Sequence, residues 1–325
     1  MALAIKTRAK HALDILKETA SDWVDDKASR LAASLALYTL LSLAPLLVLI
    51  VSALGLIFGE ETAREQVARQ LQASIGPEAG EGVNMLLASA HSPKEGILST
   101  IVSIVVLLFG ASGVFGELQE SLNTVWEVEP KPGRGVMGLV KDRFFSFTMV
   151  LGVAFLLLVS LVVSTALSAL GGVFAPSSGF VLFAWQAVNF VVSLGTVTLL
   201  FALMYKVIPD ARIAWRHVWV GAFATAVLFT IGKSLLGLYL GRASVASPYG
   251  AAGSVVVLVI WVYYSAQILF MGAEFTQVYA RASGAPLVPT ENAVATRGGH
   301  VDSGKGDRNP AQGDTGRSVP LLRES

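Results

Sequence analysis

The residues of this chain that could do chemistry are few and scattered. Four histidines, His11, His91, His217 and His300, fall in four different segments with no convergent ligand set, whereas a zinc or two-metal hydrolase needs several ligands meeting at one point. There is no cysteine, which excludes disulfides, thiolate metal sites, iron–sulfur clusters and cysteine nucleophiles. A phosphate loop and a Gly-x-Ser-x-Gly elbow are both missing; Gly232-Lys233-Ser234 keeps only the last three letters of the former. The expectation is a protein that is not an enzyme and carries no metal and no cofactor.

What remains is electrostatic. Lys233 stands alone in an apolar stretch, where an ammonium either reaches the surface on its flexible stem or faces the interior and attracts a carboxylate, a phosphate headgroup or another anion. The segment Glu117 to Trp126, read as helix, puts Glu117, Glu120 and Thr124 on one face and Gln119, Asn123 and Trp126 on another. Two readings stand: a polar cluster at the mouth of a cavity, or a helix end emerging into water with Trp126 as interfacial anchor. Glu274 closes the last apolar run at its inner end, whereas Lys233 lies toward the outer end of its own, too far away for the two to pair.

Composition says what must position these groups. Only 14% of the 325 residues are charged and 54% are hydrophobic, against about a quarter charged in ordinary soluble domains. A net charge of +1 argues against a nucleic-acid partner. Leu31 to Gly59 is an uncharged run of 29 residues, about 44 Å as helix and enough to cross a hydrocarbon core of about 30 Å with tilt. Further runs follow, and Gly171 to Gly179 splits the longest of them. The reading is all-α: six transmembrane helices at about 31–58, 97–116, 144–170, 180–204, 218–240 and 251–275, within a membrane domain 31–275.

Lysine and arginine test this count. Six lie in the N-terminal segment, four in 117–143, three in 205–217 and six at the C-terminal end; the alternate segments carry three, none and one. The positive-inside rule then places both termini in the cytoplasm. Residues 1–30 form an amphipathic interfacial helix with the stripe Ala9, Ala12, Leu13, Leu16, Ala20, Trp23 and Val24, and Lys6, Lys10, Lys17 and Lys27 on other faces. No cleavable leader pattern is seen. The outer loop 59–96 reads as two short amphipathic helices, and 284–325 as a disordered cytoplasmic tail. Small residues at Gly110 to Gly113 and at Gly237 and Gly241 predict close helix packing, and Pro45 is a candidate interruption of the first span.

Several short motifs occur in order along these spans. Tyr38-Thr39-Leu40-Leu41-Ser42-Leu43-Ala44-Pro45, Leu122-Asn123-Thr124-Val125-Trp126, Tyr205-Lys206-Val207-Ile208-Pro209-Asp210, and Ser247-Pro248-Tyr249-Gly250 leading to Trp261 and Gly272-Ala273-Glu274 resemble the YihY/BrkB family of bacterial inner-membrane proteins, over roughly residues 20–283. The resemblance implies a multi-pass protein of the cytoplasmic (inner) membrane. Members carry labels such as virulence or serum-resistance factor and ribonuclease BN. An RNA hydrolase would need a metal cluster or an acid–base pair with a basic surface, and the sequence shows neither. The favoured expectation is therefore handling or transport of an envelope lipid or amphipathic anion, with a membrane scaffold or envelope-integrity protein as the alternative and a ribonuclease BN-type tRNA-processing nuclease last. Partners would be the bilayer, such a lipid or anion, and, compatibly with the sequence, a second copy. Candidate cavity residues are Lys233, Glu117, Glu120, Asn123, Trp126, Tyr205, Pro209, Asp210, Tyr249 and Glu274.

Overall fold

The computed structural model describes residues 2–75, 81, 85, 113–131, 179–242, 253–286 and 288–296. The helices are α1 (Ala2–Asp25), α2 (Ala28–Phe58), α3 (Glu60–Ile75), α4 (113–125), α5 (Gly179–Val207), α6 (Trp215–Arg242) and α7 (Gly253–Ala282). Two three-residue strands, β1 (Val128–Pro130) and β2 (Ala293–Ala295), complete the set.

Among the described residues three helices are long and apolar enough to cross a membrane: Gln186–Val207, Trp215–Tyr239 and Gly253–Ala282. They coincide with the expected spans 180–204, 218–240 and 251–275. The expected span 31–58 falls on α2, which runs through Pro45 without a break. Of the span 97–116 only the last residues are described, and 144–170 with its following hairpin lies outside the described residues, as does most of the second helix expected in the outer loop. The first of those two helices is α3, whose Ala63 and Val67 pack against Leu47 and Val51 of α2.

Two expectations about the ends of the chain need correction. α7 continues seven residues beyond the expected end at 275, because its last turns are buried by protein rather than by lipid: Glu274, Thr276, Gln277, Val278 and Ala280 are all inaccessible. Part of that cover is α1. It uses its predicted apolar stripe only in part: Trp23 packs half-buried on the core and Ile15 and Thr19, off the stripe, are buried, while Leu13, Leu16 and Val24 stay 51%, 57% and 63% exposed. The disordered tail does not begin at 284 either. β2 pairs antiparallel with β1, Val128 opposite Ala295 and Pro130 opposite Ala293. Ahead of it, Thr290 donates its amide to the Asp210 carbonyl and Arg212 donates its amide to Val288. Residues 288–296 thus strap the α5–α6 loop to the end of α4, giving backbone groups at three loose ends their partners.

The tightest packing lies between α6 and α7. A side-chain carbon at Gly221 would come within 2.7 Å of Thr276 Cβ and closer still to its hydroxyl; one at Gly272 would come within 2.6 Å of Tyr205 Oη and closer still to the Thr225 hydroxyl. The arrangement is reciprocal: each helix carries a glycine four residues before a threonine, and each glycine receives the other helix's threonine. Each hydroxyl bonds the carbonyl of the glycine on its own helix, Thr225 to Gly221 at 2.7 Å and Thr276 to Gly272 at 2.6 Å. Small residues let the two backbones approach, and dispersion over the close contact replaces the hydrophobic drive that lipid cannot supply.

Candidate functional site

The α1–α2 turn, the end of α4, the α5–α6 loop and the end of α7 meet at one end of the bundle, joined by contacts between Arg281 and both Asp22 and Glu127, and between Asn123 and Asp210. These belong to the four segments rich in lysine and arginine. Within this end two polar clusters differ sharply in how their groups are satisfied.

The first joins α4 to the α5–α6 loop. Asn123 is 4% exposed; its Oδ1 accepts the Asp210 amide at 2.7 Å and its Nδ2 donates to Asp210 Oδ2 at 3.1 Å, where Gln119 Nε2 also donates at 3.3 Å. Above it Tyr205, fully buried, donates to the Leu269 carbonyl at 2.8 Å and lies 3.1 Å from Thr225 Oγ1. Asn123 and Asp210 therefore tie α4 to the α5–α6 loop, and Tyr205 ties α5 to α6 and α7. Pro209 is buried in the same loop. The two faces expected for 117–126 are real: Glu120 and Thr124 are exposed and Glu117 half-buried, while Asn123 and Trp126 are buried. Trp126 is 1% exposed and packs in the core with Leu122, Val125 and Tyr205, so it is not an interfacial anchor. Its helix end is covered by the strap and does not emerge into water.

The second cluster surrounds Glu274. This carboxyl is 0% exposed, and neither of its oxygens receives a donor. The group within hydrogen-bonding reach is another carboxyl, that of Asp26 in the α1–α2 turn. Asp22, Asp25 and Glu127 add negative charge around Asp26. Burial pushes the Asp26 carboxyl up to about 6; those neighbours add to the rise, and the bond to Glu274 opposes it. Among the described residues the guanidinium nearby is that of Arg281, which is engaged elsewhere, at 3.1 Å from Glu18 Oε1, bonded to Asp22, and 3.7 Å from Glu127 Oε1. Gln277, buried one turn on, donates at 3.5 Å to Glu127. Lys27 and Glu127, the two non-glycine residues with positive φ among those described (54° and 50°), shape the two turns that close on this pocket. Each such conformation costs on the order of 1 kcal/mol or more.

Lys233 belongs to neither cluster. It is exposed on α6 with Ile231 and Leu235, 53% and 59% exposed, beside it in sequence, while Gly232 faces Tyr264 and Ile268. Thr225 meets Gly272 whereas Gly232 meets Tyr264, so Lys233 lies nearly three helical turns from the level of Glu274, about 15 Å along the axis. Tyr249 lies outside the described residues. Asp26 was not singled out in the sequence because the basic N-terminal segment reads as a surface helix; two consecutive aspartates before a helix-breaking turn were the signal available. Among the described residues no group of three histidines or acids is arranged to hold a metal ion.

Comparisons with known proteins come down on the family named by the motifs. A family model described as "Virulence factor BrkB" matches residues 19–296. A "UPF0761 membrane protein" of Pseudomonas paraeruginosa is 29% identical over 263 residues, covering 80% of this chain and 61% of that protein. One from Pseudomonas aeruginosa is 30% identical over 253 residues, covering 77% and 59%, and one from Alteromonas mediterranea is 28% identical over 263 residues, covering 78% and 83%. The chain thus spans about three-fifths of the length of the Pseudomonas relatives. No solved structure matches.

Proposed function

This chain is a membrane protein of the BrkB/UPF0761 family, and on that premise we propose that it is a non-enzymatic inner-membrane protein that handles or transports an envelope lipid or other amphipathic anion. In this reading it threads the bilayer six times, and the end where α1, the strap and the α5–α6 loop gather faces the cytoplasm. The lysine and arginine distribution supports that orientation.

The observation that carries the reading is Lys233. Its ammonium is exposed part-way along an apolar span, next to exposed Ile231 and Leu235. An uncompensated cation there costs several kcal/mol, which an anionic headgroup drawn to that face would offset. The test is flux of a fluorescent anionic lipid in proteoliposomes. Lys233→Ala should slow it several-fold while Lys233→Arg preserves it; equal flux in all three proteins, at equal protein levels, removes the lysine from the mechanism and the reading with it.

One observation favours a scaffold instead: the exposed Leu13, Leu16 and Val24 of α1 form an apolar face that a partner protein could cover. A stable crosslinked partner on that face, with no lipid flux, would select this second reading.

A further inference from the structure

We propose that Asp26 and Glu274 form a proton-binding site in which one proton shared between two carboxyls fastens the α1–α2 turn to α7, and that loss of the proton frees α1 from the bundle. Glu274 is wholly inaccessible, and as a carboxylate both of its oxygens are orphaned. A buried charge without donors is not tolerated; the group finds a partner or takes up a proton. Its neighbour within reach is a second acceptor, Asp26, and two carboxylates cannot bond one another unless a proton lies between them. With that proton in place, one oxygen of the orphaned side chain has a partner and the turn is pinned to the helix.

Among the described residues no other neighbour does the same work. From α1, Asp22 and Asp25 face the pair and Glu18 stands behind them; from the turn before β1 comes Glu127. All four are acidic. Arg281 of α7 is the cation present, and its nitrogens already serve Glu18, Asp22 and Glu127. Removing the proton therefore adds a negative charge to a pocket whose surroundings are negative, and like charges at contact in a poorly solvated site repel strongly. The cheapest relief is movement of α1. Among its described side chains Ile15 and Thr19 are buried and Trp23 half-buried, and its ion pairs to α7, from Glu18 and Asp22 to Arg281, are exposed. The turn that would move already holds Lys27 in a left-handed conformation. The released proton goes to solvent, so the balance needs no further reactant.

The absence of cysteine allows spin labels at Leu16→Cys and Ser283→Cys, two exposed positions on α1 and just past α7, in protein reconstituted into nanodiscs. The expected result is one short distance at pH 5 and a growing longer population as pH rises to 9. In a Glu274→Gln background the short distance should persist at every pH, because an amide supplies the donor without titrating; Asp26→Asn should behave alike and decides the matter if the first variant does not assemble. A wild-type distance that ignores pH, or a variant that shifts as the wild type does, overturns the proposal. So does a shift produced at fixed pH by exchanging sodium for a bulky organic cation, which would make the ligand a metal cation.

Discussion

Two faces of a single stretch of α7 handle polar groups in opposite ways. On one, Gly272 and Thr276 interlock with Thr225 and Gly221 of α6, and every hydroxyl involved, including that of Tyr205, has a carbonyl to bond. On the other, Glu274, two residues from each, is equally buried and has only another acid to turn to. The first face is satisfied internally and has one good arrangement, so it fixes the spacing of the bundle. The second is satisfied only with an added proton and so has two arrangements. Rigidity and responsiveness are separated by half a helical turn, and the difference lies in whether donors and acceptors balance.

Four substitutions or titrations would break or sharpen that contrast. The largest effect should come from Gly272→Val, whose added carbons would run into Tyr205 and Thr225; overpacking of this kind costs about 3 kcal/mol, read as a lower unfolding midpoint and loss of a monodisperse peak in detergent. Next is the acid titration of Asp26. Its carboxyl is raised in the folded protein, so its stabilising contribution is complete below about pH 4 and is lost as pH rises through about 6. After discounting for its half-exposed position, about 1 kcal/mol should separate the two limits, and Asp26→Asn should flatten that slope in chemical denaturation. Thr225→Val removes the hydroxyl that bonds Gly221 and approaches Tyr205; hydrogen bonds between membrane helices average about 0.6 kcal/mol, a small, pH-independent fall in the same assay. Lys233→Ala, outside both faces and with the cost of its charge already offset by a headgroup, should leave stability within about 0.5 kcal/mol even where it alters lipid flux.

How much of this could be read from the residues follows from what is local. Long apolar runs located α2, α5, α6 and α7, since length and hydropathy are properties of contiguous sequence. The 3.6-residue period sorted Glu120 and Thr124 from Asn123 and Trp126. Pairings were not readable. Asn123, Asp210 and Glu274 were all singled out, yet nothing in the chain says that Asn123 meets Asp210 across 87 residues, or that the partner of Glu274 is Asp26. The strap was invisible for the same reason: Ala293-Val294-Ala295 has no pattern until β1 lies beside it. Of the small residues expected to pack closely, Gly113 does so, against Tyr38, whereas an added carbon at Gly237 would meet nothing; the tightest approaches are at Gly221 and Gly272, because a glycine matters only where a neighbouring helix comes near, as Thr276 and Thr225 do.

The most direct test of the contrast is the unfolding midpoint of the wild type and Glu274→Gln compared across pH 5 to 9 in one detergent. The account predicts near-equal midpoints at pH 5 and a growing advantage for the glutamine variant as pH rises, because only the wild type loses the shared proton. A constant offset, or an advantage that shrinks with pH, would contradict it.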